Sequence, residues 1–216
     1  MDSGSKGKRP YFRPQLRTMT PEAFMEKFAA PSNKGAVRHL YVLTTGGTME
    51  KVYSEQTGSV ANVGSKIDRY LRLLRLGDCG VNVVPLMNKD SLEMTDADRV
   101  LILSMVRGLL KEDAPMVITH GTDTMVQTGL YLQRALPELG VPIVLTGAMT
   151  PLGFEGSDGL QNLTESLLAV QLLHPGVYVV MHNRVYPAQN ARKDHPLGRF
   201  FWSDPASPTI DGQEHL

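Results

Sequence analysis

Leu40-Tyr41-Val42-Leu43-Thr44-Thr45-Gly46-Gly47-Thr48-Met49 is an apolar run that ends abruptly in threonines and glycines. Four apolar residues in a row, with no polar alternation, suit a strand buried on both faces, as a parallel sheet requires. The residues just past such a strand lie at the edge where open α/β sheets present reactive side chains. The pattern returns downstream, where Met116-Val117-Ile118-Thr119 gives way to His120-Gly121-Thr122-Asp123-Thr124-Met125.

Around these two stretches strands and helices alternate. Residues 63–76 carry Ile67, Tyr70, Leu71 and Leu74 at helical spacing, and Val81 to Leu86 reads as a second strand. Thr95, with Asp98 three residues later, opens a helix through about Leu110 in the manner of a capping box. Helices are expected over 124–136 and 158–173, and strands at Ile143-Val144-Leu145 and Val177 to Met181. The expected fold class is α/β: a doubly wound, mostly parallel, Rossmann-like sheet of about five strands, joined by right-handed crossovers and covered by helices on both faces in three layers. Thr48, Asp90-Ser91, Thr122-Asp123, the segment from Thr146 to Pro151, and Lys193 beyond strand five would then share the carboxyl edge of the sheet.

Bulk properties narrow the function. The 216 residues are 42% apolar, enough for a sizeable core, and 22 Lys+Arg balance 22 Asp+Glu, which favours neither a nucleic-acid nor a membrane partner. Cys79 stands alone, so neither an intramolecular disulfide nor a thiolate metal cluster can form within the chain. No metal or cofactor is expected. No apolar signal segment opens the sequence, and a cytoplasmic address is expected. Residues 1–36 read as a basic extension with a short helix after Thr20-Pro21-Glu22, residues 37–203 as a catalytic domain, and 204–216 as a polar tail.

The glycine run is not a phosphate loop, because no Gly-Lys-Ser/Thr follows and Glu50 would repel phosphate. Gly46-Gly47 would let the backbone approach a ligand and turn amides toward an oxyanion, with Thr48 in attacking range. An ordinary strand-to-loop turn is the alternative. Gly121-Thr122-Asp123 puts a hydroxyl beside a carboxylate, which suits either catalysis or helix capping. His120 is either a base for a threonine or a packed core histidine, and Cys79 suits a packed thiol.

Together the two motifs resemble the signatures of the L-asparaginase family, a T-G-G-T run and an H-G-T-D-T run. The likeness extends through Asp90-Ser91-Leu92-Glu93-Met94, Thr146-Gly147-Ala148-Met149, Pro151, Ser157-Asp158-Gly159 and Asn162-Leu163, in family order over about residues 38–203. It implies hydrolysis of L-asparagine to L-aspartate and ammonia, with Thr48 as the nucleophile that forms an acyl-enzyme. It implies that Thr122, Asp123 and Lys193 form a second triad, in which Lys193 needs partial desolvation to accept a proton. Ser91 would bind the substrate carboxylate and Asp123 its ammonium, with Asp90, Gly47, Gly121 and Ala148 also around the substrate. Tyr53 is the candidate for the family's mobile tyrosine. Leu92 departs from a polar family residue. The family's second domain, from which a neighbouring subunit completes the site, is not expected here, and a homodimer or larger homo-oligomer is. Glutamine would be the weaker substrate. The alternatives are an ammonia-supplying amidotransferase subunit and an amino-acid binding module without turnover.

Overall fold

Strand β1, Arg38–Gly46, lies inside the sheet, and from Leu40 to Thr45 every residue except Tyr41 is buried. The structure is a computed structural model and describes residues 38–54, 58–62, 66–77 and 79–204. The N-terminal extension with its expected helix, and residues 205–216 of the tail, lie outside the described residues. On one side β1 pairs in parallel with β4 (Cys79–Lys89), and on the other with β5 (Met116–Thr119). Strands β6 (Pro142–Thr146) and β7 (Gly176–Met181) continue the parallel sheet, and β8 (Arg184–Pro187) closes it antiparallel, in the order β4-β1-β5-β6-β7-β8. Two small hairpins stand apart from it, β2 (Lys51–Ser54) with β3 (Ser59–Asn62), and β9 (Ala191–Asp194) with β10 (Arg199–Trp202).

Alternate strand residues feed two cores. Leu43, Ile118, Leu145 and Val179 pack with Ile102 and Val106 of α2 (Asp96–Leu109) and with Met125 and Leu132 of α3 (Met125–Ala135). Val42, Val117, Val144 and Val180 face the opposite layer, against Ile67 and Leu71 of α1 (Ile67–Leu71) and Leu163 and Leu167 of α4 (Gly159–Ala169). The sheet is therefore covered on both faces, as expected.

Three features depart from the sequence expectation. The sheet has six strands rather than about five, because the chain reverses after β7 at His182 and Asn183, with φ of 50° and 60°. This is the left-handed backbone of a tight hairpin turn, formed here without glycine. Of the expected 63–76, residues 63–65 lie outside the described residues and helix α1 covers Ile67–Leu71; the N–H groups of Leu73 and Leu74 reach back three residues to Tyr70 and Leu71, a tightening that ends the helix. Finally, not every crossover has the same hand. The steps β5 to β6 and β6 to β7 move in the same direction across the sheet, yet α3 lies on one face and α4 on the other. The connections through α1, α2 and α3 are mutually consistent, so the one through α4 is the exception to the right-handed rule.

Helix α2 fixes the loop before it. Asp98 accepts hydrogen bonds from Thr95 N and Thr95 Oγ1, both at 2.8 Å, and from Lys89 Nζ at 2.7 Å, tying the end of β4 to the helix start. The Lys89 hydrogen bond, followed by those from Thr95, lowers the Asp98 pKa to about 2. Among the described residues no helix is long and apolar enough to cross a membrane.

Because the folded pKa of Asp98 is below its unfolded value, its contribution to stability is complete above about pH 4 and fades as pH falls toward 2. Asp98→Asn should flatten that part of the stability curve in urea unfolding at stepped pH. Thr95→Ala should cost roughly 1 kcal/mol at neutral pH. An unchanged acid limb in Asp98→Asn would contradict the assignment.

Candidate active site

The chain leaves β1 for β4 on one side and returns to β5 on the other, so the order reverses at the carboxyl ends of β1 and β5. Ligand crevices of open α/β sheets lie at such reversals. Here the loops make unusually close contact. Gly47 has φ 74°, and a Cβ on it would collide with the Gly121 backbone; a Cβ on Gly121 would in turn collide with the Ser91 side chain. The loops after β1, β5 and β4 are thus stacked against one another. Polar bonds lock the stack: Thr45 Oγ1 donates to Thr119 O at 2.8 Å, and Thr124 Oγ1 to Ser91 O at 2.9 Å. The Gly47 N–H, one of the amides expected to face an oxyanion, instead donates to Lys89 O at 2.8 Å. Close approach is therefore the role of this glycine.

Thr48 is half-buried at the start of a single 3-10 turn, Thr48–Glu50. Ser91 is buried, and its Oγ has no hydrogen-bond partner among the described residues. Asp90 accepts from Lys51 Nζ at 2.6 Å and Leu92 N at 3.1 Å, and the Lys51 bond holds its carboxyl below the usual range. Leu92 itself is exposed.

Across the Gly47–Gly121 contact, Lys193 Nζ donates to Thr122 Oγ1 at 2.7 Å and to Asp123 Oδ1 at 2.6 Å. Thr122 is buried, and the Lys193 side chain is only 12% exposed. Lys193 sits on β9 rather than in a loop, opposite buried Phe200 of β10, whose carbonyl accepts from Tyr186 Oη at 3.0 Å. His195, unread in the sequence, brings its Nδ1 to 3.5 Å from Asp123 Oδ1.

The loop after β6 joins the same crevice by turning back toward β1. Leu152 N donates to Met49 O at 3.2 Å, and Lys66 Nζ bonds both Lys51 O, at 2.7 Å, and Leu152 O, at 2.9 Å. Burial, then the Arg69 charge, draws the Lys66 pKa down. Ala148 is buried in this loop, and Asp158 holds its other end, accepting from Met149 N, Thr150 N, Asn162 Nδ2 and His182 Nε2. Burial would raise the Asp158 pKa, but those N–H bonds outweigh it and keep it low. Asn162 also donates to Gly147 O at 2.9 Å and accepts from His182 N at 2.9 Å. Among the described residues no group of three or more His, Cys, Asp or Glu is placed to hold a metal ion.

Residues 39–210 match the family model described as "Asparaginase, N-terminal". The chain belongs to the asparaginase family. The L-asparaginase of Thermococcus kodakarensis is 31% identical over 159 residues, 74% of this chain and 48% of that protein. The solved structure of this thermostable enzyme superposes with a TM-score of 0.69, over 76% of this chain and 51% of the other. Escherichia coli (strain K12) L-asparaginase 1 is 32% identical over 181 residues, 80% of this chain and 52% of that protein. A glutamyl-tRNA(Gln) amidotransferase subunit of Methanococcus vannielii is 30% identical over 151 residues, 69% of this chain and 35% of that protein. This chain spans about half the length of the L-asparaginases it matches.

Two of the remaining sequence candidates do not present their side chains to the stack, although the His120 backbone belongs to it. His120 is fully buried, with Nδ1 2.8 Å from Gly121 O and Nε2 2.9 Å from Thr128 Oγ1, which leaves neither nitrogen facing a ligand. Tyr53 lies on β2, cross-strand from Val60, with 53% of its surface exposed. The roles of Lys51, Lys66 and His195 went unread, since isolated basic residues in polar stretches carry no local signal.

Burial lowers the His120 pKa from 6.5 to about 4. Below pH 6.5 the unfolded chain takes up a proton that the folded chain refuses until about pH 4, so stability is complete above 6.5 and declines between those values. His120→Gln should remove about one proton's worth of that slope in denaturant titrations. An identical slope in the variant would place the titrating group elsewhere.

Proposed function

We propose that this chain is an amidohydrolase that converts L-asparagine to L-aspartate and ammonia through an acyl-enzyme on Thr48, with glutamine as a weaker substrate. The observation that carries the reading is the largely buried Lys193 ammonium, bonded to both Thr122 Oγ1 and Asp123 Oδ1 beside the glycine stack that bears Thr48. The L-asparaginases among the named relatives support the amidohydrolase part of this reading.

Substrate is held at both ends. Asp123 takes the α-ammonium, and the unpartnered Ser91 hydroxyl donates to the α-carboxylate, so that two charge-assisted bonds orient the side-chain amide over Thr48. The Thr48 hydroxyl oxygen attacks the amide carbon, its proton passes to the leaving nitrogen, and the C–N bond breaks to release ammonia. Water then attacks the ester carbon; its proton is relayed by Thr122 Oγ1 and Lys193 Nζ to the Thr48 oxygen as the carbon–oxygen bond to Thr48 breaks, and aspartate leaves. Asp90 and Lys51 hold the turn that presents Ser91, and Ala148, Gly47 and Gly121 shape the wall. Tyr53, on the adjoining hairpin, is the candidate to close over the ligand, and assembly into at least a dimer belongs to the same reading.

A second and less well supported reading, in which the ammonia is passed to a partner protein, has behind it the amidotransferase subunit, matched over 35% of that protein. Free ammonia released by the purified chain alone separates the two.

Ammonia release from L-asparagine and L-glutamine tests the proposal directly. Thr48→Ala and Lys193→Met should each lower kcat by on the order of a thousandfold, and Ser91→Ala should raise KM about tenfold with less effect on kcat. Undiminished turnover in Thr48→Ala would remove Thr48 as nucleophile. Aspartate binding with no ammonia from either amide would leave only a binding module.

A further inference from the structure

We propose that His195 sets ligand affinity at Asp123 through its charge: the neutral imidazole leaves the carboxylate open to a ligand ammonium, and the imidazolium competes with that ammonium. The inference rests on the reading that an amino-acid ammonium docks on Asp123.

The geometry divides the two oxygens of Asp123. Lys193 Nζ, at 2.6 Å, and His195 Nδ1, at 3.5 Å, both approach Oδ1, while Oδ2 has no partner among the described residues. The Asp123 side chain is 30% exposed, and Oδ2 is the oxygen left for a ligand. His195 stands at the turn between β9 and β10, where its carbonyl accepts from Gly198 N at 3.2 Å while its side chain remains 64% exposed. The turn thus holds the backbone while most of the ring faces solvent.

The other charges near the ring are few. Asp194 accepts from Leu197 N at 3.1 Å and lies 3.9 Å from Arg199 Nε, so its carboxylate is turned into the turn and toward β10. Lys193 is committed to Thr122 and Asp123. Asp123 is the one carboxylate within ion-pair distance of His195 among the described residues. Histidine is the side chain that changes charge between pH 5 and 8, whereas the α-ammonium of an amino acid stays charged throughout. An imidazolium at this position would be a third cation at Asp123, beside Lys193 and the incoming ammonium. An exposed pair of this kind changes affinity only severalfold.

The test is calorimetric binding of L-aspartate and of succinate, which lacks the ammonium, to the full chain at about pH 8 and about pH 5.5, a range that spans histidine titration. The wild type should bind L-aspartate about threefold more weakly at the lower pH. His195→Gln should lose most of that change, and His195→Lys should bind weakly at both values. Succinate affinity should be indifferent to residue 195. Equal pH ratios in wild type and His195→Gln, an equal effect on succinate, or no L-aspartate binding by the wild type would each overturn the inference. Ammonia release measured in parallel separates the two ideas. Turnover with no influence of residue 195 on L-aspartate binding defeats only the role of His195, whereas His195-dependent binding without turnover defeats only the hydrolase.

Discussion

The contact of Gly47 with Gly121, and of Gly121 with Ser91, is the constraint on which the rest of the site depends. Adjacent parallel strands are held about 4.8 Å apart by their ladder, but nothing in the ladder requires the loops beyond them to stay in contact. Here they do, because two positions have no side chain and one of them adopts a positive φ that only glycine holds at little cost. Gly147 continues the bed on the far side, where a Cβ would meet the His120 carbonyl. A methyl group at Gly47 or Gly121 would wedge the loops apart and separate the elements bearing Thr48 and Thr122.

This constraint explains which parts of the molecule were legible in the sequence. Strands β1, β4, β5, β6 and β7 announced themselves because each contains a short apolar run, although β4 extends at both ends beyond the run from Val81 to Leu86, and α2 because Thr95 and Asp98 cap it through side-chain bonds visible as a spacing. The motif threonines were legible for the same local reason. What stayed hidden depends on distant partners. β8 follows a turn made by His182 and Asn183, residues that tolerate positive φ without advertising it. Lys193 meets Thr122 across 71 positions, a separation with no periodicity to read, so only the family likeness pointed to it. His195, Lys51 and Lys66 had no such likeness to point to them.

The exceptional crossover follows from the same crowding at the sheet edge. A chain leaving β6 in the ordinary way would climb directly onto the face already occupied by α2 and α3. Instead residues 147–158 run back across the end of β5 until Leu152 bonds Met49, and Asp158 then anchors both Met149 and Thr150 at the start of α4. Having turned back toward β1, the chain can enter α4 only on the opposite face. The unusual hand is therefore the topological consequence of bringing a fourth loop into the crevice, and the carboxylate of Asp158, with Asn162 and His182 around it, keeps that loop in place.

The electrostatics of Lys193 argue in the same direction. Burying an ammonium costs several kcal/mol of hydration, and its pairing with a carboxylate seldom returns more than replacement by a well-packed apolar residue would. Phe200 already supplies apolar packing opposite Lys193, and the Tyr186 hydroxyl fixes the hairpin through the Phe200 carbonyl, so β9 and β10 do not need the ion pair to stay together. The exposed Arg72–Asp68 pair shows the contrasting case, a solvated contact within one helix end that serves at most local stability. An amine held at 12% exposure against a buried hydroxyl is costly as a structural element. Under the proposed function the same amine handles a proton at Thr122, a role that accounts for keeping so costly a group in that place.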